Sequence, residues 1–232
     1  MAVGRDIDKV FEELDKWVSD KGTGGYIEYD YNPYICIKEN FLNEELGIQQ
    51  VREEIKKLSH ILDLHNLTNG TCLEIGLGFF GSTHFLWRLL FDEVITIEKN
   101  FERVREFGRN TKKYYGKFIL DDKRSKFYNG LSNDEKIVEQ IYQNHKDINF
   151  LFIDGNHTYA SALADFLLYY PLVKRGGIIA FHDTVYTKGY NEDVPRLMDD
   201  LRDGKYTDGE LELIDIHESE TQGITFFKKN II

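Results

Sequence analysis

The chain has 232 residues, 41% of them hydrophobic and 30% charged, and 29 Lys and Arg against 40 Asp and Glu give a formal net charge of −11. A chain of this length without low-complexity stretches suits one α/β domain with a sizeable core, and its acidity excludes a phosphate backbone as partner unless a basic patch intervenes. Short basic runs such as Lys112-Lys113 and Lys123-Arg124 are too short to make one.

Residues Met1 to Asp20 are charged throughout and lack the apolar core of a signal peptide, and no later stretch has the apolar length of a membrane span. Cys36 and Cys72 lie far apart, and Cys72 falls inside an apolar run where a thiol behaves as a small hydrophobe. A reducing compartment fits, so the expected location is the cytoplasm, with no membrane contact.

In chain order, Val10, Phe11, Leu14 and Val18 recur at helical spacing and predict a helix over 6–18. Residues 21–40 are rich in Gly and Tyr and contain Pro33, which predicts loop with a short strand at Tyr34-Ile37. Tyr26, Tyr29, Tyr31 and Tyr34 there suit a packed lid better than a ligand pocket. Val51, Ile55, Leu58, Ile61 and Leu62 share one helical face, so Gly47 to Leu64 is read as a second helix. Residues 1–65 are thus expected to be a helical or lid-like extension, and 66–232 the main domain.

That domain begins with Thr71-Cys72-Leu73-Glu74-Ile75-Gly76-Leu77-Gly78-Phe79-Phe80-Gly81-Ser82-Thr83, a strand breaking into a glycine-rich turn and restarting as a helix. Gly76 and Gly78 suit a tight turn with close backbone approach to a ligand, Gly81 suits helix packing, and Ser82 or Thr83 can cap the helix. A glycine turn alone also ends strands for conformational reasons. Here Glu74 precedes the glycines at the strand's carboxyl end, and the next apolar run, Glu93 to Ile97, also ends in an acid, Glu98. An acid roughly 20 residues past the turn stands where a ribose lies in a doubly wound sheet.

Asn100 can cap a helix running to about Tyr115, with Phe101, Val104 and Phe107 inward. Both Lys117-Leu120 and Lys126-Tyr128 could form the third strand; the second is preferred because it precedes the turn Asn129-Gly130-Leu131-Ser132. Asp134 to Gln143 reads as a helix burying Ile137, Ile141 and Tyr142, and Asp147 to Ile153 as a fourth strand. That strand ends in Asp154-Gly155-Asn156-His157-Thr158-Tyr159. A helix from Tyr159 to about Tyr170 follows, closed by Pro171 and Gly176-Gly177, and a fifth strand, Ile178 to Phe181, ends in His182-Asp183-Thr184. Val185 to Glu192 reads as a loop and Val194 to Leu201 as a helix, while Leu211 to Ile216 and Ile224 to Phe227 make a closing hairpin across Gly223. Alternating strands and helices predict an α/β, doubly wound, mostly parallel seven-stranded sheet with N-terminal helices and a C-terminal antiparallel hairpin. Right-handed crossovers gather all the polar turns at one sheet edge.

These segments together, with Phe152-Ile153-Asp154-Gly155-Asn156-His157 and Gly176-Gly177-Ile178-Ile179-Ala180-Phe181-His182-Asp183-Thr184 the more specific, identify a family. The chain resembles the class I S-adenosylmethionine (SAM)-dependent methyltransferases, within the group of macrocin-type sugar O-methyltransferases and cephalosporin-hydroxylase-like proteins. The resemblance covers Leu73 to the C-terminus and does not extend to the first seventy residues. It implies SAM as cofactor, with Glu74, Gly76, Gly78, Gly81 and Ser82 around the methionine part and Glu98 on the ribose hydroxyls. It places Leu131 and Ser132 at the adenine, and Asp154 among the cofactor-binding residues. It further implies a divalent metal, magnesium or another, at Asp154, His182 and Asp183; His182 stands where some relatives have an acid, which points to a softer ion or to none. Phe80 departs from the pattern, since members often carry another glycine there.

Methyl transfer to a hydroxyl needs alignment of donor and acceptor and removal of one proton. His157 is the expected base, oriented by Asp154, and the acceptor a small molecule or saccharide. Read singly, His157 could be a helix-start histidine bonded to a carbonyl and His182 a core histidine at a strand end. Four ionisable groups at one sheet edge are harder to explain as packing. The same glycines and Glu98 also allow a nicotinamide-dependent oxidoreductase or a non-catalytic cofactor-binding protein, and the N-terminal helices could pair subunits into a homo-oligomer.

Overall fold

Ile148-Asn149-Phe150-Leu151-Phe152-Ile153 is buried at every position, and a strand with two buried faces belongs inside a sheet covered on both sides. In the computed structural model, which describes residues 5–20, 26–27, 48–78, 81–101, 123–189, 193–207, 209, 211–220 and 222–230, it is the central strand β6, Ile148–Ile153. Before it come α1 (Ile7–Asp20), β1 (Tyr26–Ile27), β2 (Ile48–Val51), α2 (Arg52–Leu64), β3 (Thr71–Ile75) and α3 (Ser82–Leu90). Then follow β4 (Glu93–Glu98), β5 (Ser125–Asn129) and α4 (Glu135–Asn144). After β6 come α5 (Tyr159–Tyr169), β7 (Val173–His182), α6 (Asp193–Arg202), β8 (Ile214–Ile216) and β9 (Ile224–Lys228).

The seven-stranded sheet has the order β5-β4-β3-β6-β7-β9-β8, parallel except for β9, which runs antiparallel to β7 and β8. Alternation along each strand divides the core. Cys72, Val94, Phe150, Phe152, Ile178 and Ala180 face Ile7 and Phe11 of α1, Ile55, Leu58 and Leu62 of α2, and Leu86, Trp87 and Leu90 of α3. Leu73, Ile95, Leu151, Ile153, Ile179 and Phe181 face Ile137 and Ile141 of α4, Phe166 and Tyr169 of α5, and Leu197, Met198 and Leu201 of α6. No helix among the described residues is long and apolar enough to cross a membrane. The expected doubly wound sheet with its closing hairpin is what the chain forms.

Three expectations are corrected. Gly47 to Leu64 is not one helix: Ile48–Val51 is β2, parallel to β1, and the helix starts at Arg52. Tertiary contact outweighs helical periodicity there, because the Gln50 side chain reaches into the sheet edge. The fifth strand does not follow the glycine pair but contains it. Between the β6 residues Ile148 and Phe150 the register with β7 shifts, and a Cβ on Gly177 would stand 2.7 Å from Val173 Cγ1 and 2.9 Å from the Asn149 carbonyl oxygen. The glycines therefore mark an irregular, close-packed strand and not a loop. Tyr142, expected inward, is exposed, its hydroxyl donating to the Leu168 carbonyl. The strand at Tyr34-Ile37, the alternative at Lys117-Leu120 and the helix beyond Phe101 lie outside the described residues.

Candidate active site

The strand order reverses at β3, which sends β4 and β5 to one side and β6 and β7 to the other, so the crevice at the carboxyl ends of β3 and β6 is the switch point of the sheet. Gly76 lies there with φ 93°, and a Cβ on it would stand 2.1 Å from the Asp154 carbonyl oxygen. The two strand ends thus touch through a residue that must be glycine. Gly78 and Gly81 also have positive φ, and the Gly81 amide donates to the Leu77 carbonyl, closing the turn. Gly81 caps α3 without any side chain of its own. Phe79 and Phe80 lie outside the described residues, as does the side chain of Ser82.

On the β4 side, Glu98 is buried. Its Oε2 accepts from the Leu77 amide at 3.0 Å and its Oε1 from the Asn100 amide at 2.9 Å. Carboxylate oxygens keep further lone pairs for ligand hydroxyls. Glu74 is turned into the sheet, where Oε2 accepts from Thr96 Oγ1 at 2.9 Å and lies 3.2 Å from His84 Nδ1. With the Thr96 hydroxyl proton spent on Glu74, its oxygen accepts from His84 Nδ1 at 2.7 Å, and His84 Nε2 accepts from Ser125 at 2.9 Å. Burial pushes the Glu74 carboxyl up, and the His84 and Thr96 contacts oppose it.

The turn after β5 stands beside Glu98, whose carbonyl accepts from the Gly130 amide. Leu131 is exposed, and the Ser132 carbonyl accepts from the Tyr169 hydroxyl at 2.5 Å. Behind it Asp165 is buried, which pushes its carboxyl up to about 6 against the pull of a hydrogen bond with Ser132.

On the β6 and β7 side the acids and histidines converge. His182 Nδ1 lies 3.2 Å from Asp154 Oδ1 and 3.4 Å from Asp183 Oδ2, while His157 Nε2 is 3.2 Å from Asp183 Oδ2 and 3.7 Å from Asp154 Oδ1. Asp183 holds a left-handed conformation, φ 58°, which is uncommon outside glycine and worth of order 1–3 kcal/mol where it is strained. Burial would raise the Asp154 carboxyl, but the two histidines hold it down at about 2. Burial would lower both imidazoles, yet the carboxylates raise His157 and raise His182 well above the usual range. An imidazolium between two carboxylates occupies the place of a cation.

Of the residues singled out in the sequence, Asp154, His157, His182 and Asp183 form one cluster; Gly76, Gly78, Gly81, Glu98 and the 129–132 turn form its neighbour; and Glu74 braces the sheet beneath. Three buried residues escaped sequence reasoning. Gln50 Nε2 donates to Asp154 Oδ2 at 2.9 Å, but its segment reads as helix. Glu54 accepts from the Glu218, Ser219 and Gly223 amides and so ties α2 to the β8–β9 connection. Asp165 lies on the inward face of α5 with Ala162, Phe166 and Tyr169, and an acid at that spacing is the signal that could have found it.

Residues 73–184 match the family model described as a methyltransferase domain. An uncharacterised protein of Acanthamoeba polyphaga mimivirus is 31% identical over 115 residues, 48% of this chain and 52% of the relative, so the match spans about half of each. The fold is similar to an O-methyltransferase from Bacillus cereus solved with SAH (TM-score 0.58, 17% identity, 94% of this chain and 97% of that one). It is similar also to the O-methyltransferase TomG of Streptomyces achromogenes solved with SAM (TM-score 0.56, 17% identity, 97% and 96%). A third likeness is to the mycinamycin-pathway methyltransferase MycE, solved with Mg, SAH and mycinamycin VI (TM-score 0.53, 15% identity, 94% and 54%). The sheet described above is the Rossmann-like methyltransferase fold.

Proposed function

We propose that this chain is a SAM-dependent O-methyltransferase acting on a hydroxyl of a small molecule or saccharide, with a divalent ion beside the acceptor. The observation that carries the reading is the convergence of Asp154, His157, His182 and Asp183 next to the glycine turn and Glu98. The methyltransferase-domain match and the SAM, SAH and Mg complexes of the neighbouring structures support it. In this reading residues 66–232 carry the transferase, residues 1–65 form an extension that supplies Gln50, and the enzyme works in the cytoplasm.

The donor set fits a metal ion. One ligand atom from each of Asp154, His182 and Asp183 lies within 4.8 Å of the others, so an ion could take over the positive charge between the carboxylates as His182 gives up its proton. Three protein ligands leave positions open, and while the carboxylates suit magnesium, the imidazole favours a transition metal. When bound, such an ion lowers the pKa of the acceptor hydroxyl and fixes its direction.

The chain's own groups do the rest. Glu98 takes the ribose hydroxyls, the turn at Leu131 and Ser132 borders the adenine, and Gly76, Gly78, Gly81 and Ser82 line the methionine part, with Glu74 fixing the strand end beneath. His157, 51% exposed and the most open of the four polar groups, stands where an acceptor can reach it. SAM held there would supply an electrophilic methyl group with a thioether as leaving group, and the acceptor's hydroxyl proton would pass to His157 Nδ1, because Nε2 carries its proton toward the Asp183 and Asp154 carboxylates. Calorimetry should show S-adenosylhomocysteine binding and little NAD binding. Methyl transfer should vanish with a chelator and return with Mg²⁺ or Mn²⁺. Tighter binding of NAD would discard the transferase reading, and chelator-resistant turnover would discard the metal.

A further inference from the structure

Gln50 is fully buried, and among the described residues its Oε1 has no hydrogen-bond partner. The amide orientation is fixed, because an ionised carboxylate only accepts and Nε2 must therefore face Asp154. The two amide heteroatoms are about 2.2 Å apart, so Oε1 lies within about 5 Å of Asp154 Oδ2. A buried carbonyl oxygen left unpaired is destabilising, and this one stands at the switch point where a ligand is expected.

The sheet edge indicates which part of the ligand belongs there. With adenine at the turn after β5 and ribose on Glu98 at the end of β4, the cofactor runs across β3 toward β6, about 4.8 Å per strand. Its amino-acid end then falls between Gly76 and Asp154, whose backbones touch. The polar atoms on offer there, Asp154 Oδ2 and Gln50 Oε1, are both acceptors, and an acceptor pair selects a cationic donor. Asp154 divides its work accordingly: Oδ1 faces the histidines, and Oδ2 faces Gln50.

Resting on the transferase reading, we infer that Gln50 Oε1 accepts a hydrogen bond from the α-ammonium of the cofactor's methionyl group, which makes a residue of the N-terminal segment part of the cofactor site. The test is calorimetry with S-adenosylhomocysteine and its analogue lacking the α-amino group, on the full chain and on Gln50→Leu. The intact chain should prefer S-adenosylhomocysteine, and Gln50→Leu should cut that preference about 10-fold or more, the scale of a hydrogen bond to a charged group, while binding of the deaminated analogue changes little. Equal losses for both ligands, or an unchanged preference, would overturn the assignment. If Gln50→Leu does not fold, Gln50→Asn, one methylene shorter, gives the same ratio. An intact chain that binds neither ligand would remove the transferase reading itself, which separates the two failures.

Discussion

The two halves of the sheet edge carry the same kinds of residue in different states. On the β3 and β4 side, Glu74 has one oxygen held by Thr96 and His84, and Glu98 has each oxygen held by a backbone amide, Leu77 or Asn100. On the β6 and β7 side, Asp154 and Asp183 share two histidines between them, and the buried His182 Nε2 and Gln50 Oε1 find no partner among the described residues. A carboxylate paired within the core, as Glu74 is, holds a structure in shape, whereas a crowded group with spare donors and acceptors is completed by something that binds. An acid at a strand end is therefore a brace or a site according to its partners, not its type.

The largest test of that contrast is His157→Ala. If the β6 and β7 side does the chemistry, kcat should fall by about 10²–10⁴, with S-adenosylhomocysteine affinity and melting temperature close to those of the intact chain. Turnover of the intact chain should climb with pH as His157 loses its proton, and the variant should lack that rise. A variant that kept its rate would demote His157 to a surface helix-start histidine.

Glu74→Ala tests the other half. It strands the Thr96 hydroxyl proton in the core while His84 keeps Thr96 and Ser125 as partners, and the unpaired donor together with the cavity left by the side chain should cost about 2–4 kcal/mol of stability, read by urea unfolding. A cost below about 1 kcal/mol would show that Glu74 is not a brace. A smaller effect is expected at Glu98, where the carboxylate holds the turn and is proposed to take the ribose as well. Glu98→Ala should weaken S-adenosylhomocysteine by about 1.5–3 kcal/mol, and unchanged affinity would leave it a turn-holding residue only.

The sheet was legible because its signals are local. Apolar runs such as Leu151 to Ile153 and Ile178 to Phe181, each followed by a polar cluster, fix strand, edge and direction together. The site was legible in so far as its residues follow those strands directly, as Asp154, His182 and Asp183 do. Gln50 was not, because its role depends on a contact 104 residues away in sequence while its neighbours carry helical periodicity. Gly176 and Gly177 misled for a related reason: glycine punctuates loops in most sequences, and only the approach of Asn149 and Val173 shows that here it admits a neighbouring backbone. The partners that turn Glu74 inward, Thr96 and His84, come from separate elements, and no spacing rule joins them.

Asp165 blurs the contrast and offers its finest test. It is a carboxyl on the β6 and β7 side, yet it is buried behind the turn after β5 with a hydrogen bond from Ser132 as its support. Burial holds its folded pKa at about 6 against an ordinary 3.8, so the native state binds this proton more tightly than the unfolded chain does. Its stabilising contribution is therefore complete below about pH 3.8 and is lost as pH rises through about 6. The shift bounds the loss at about 3 kcal/mol, and local relaxation should reduce it to about 1–2 kcal/mol. Asp165→Asn keeps the shape and removes the titration. Urea unfolding between pH 4 and 7 should show the intact chain losing this increment relative to the variant, with the two differing most at the neutral end. Parallel pH profiles would mean that Asp165 stays ionised in the fold with partners enough to hold its charge, which would return it to the class of satisfied braces.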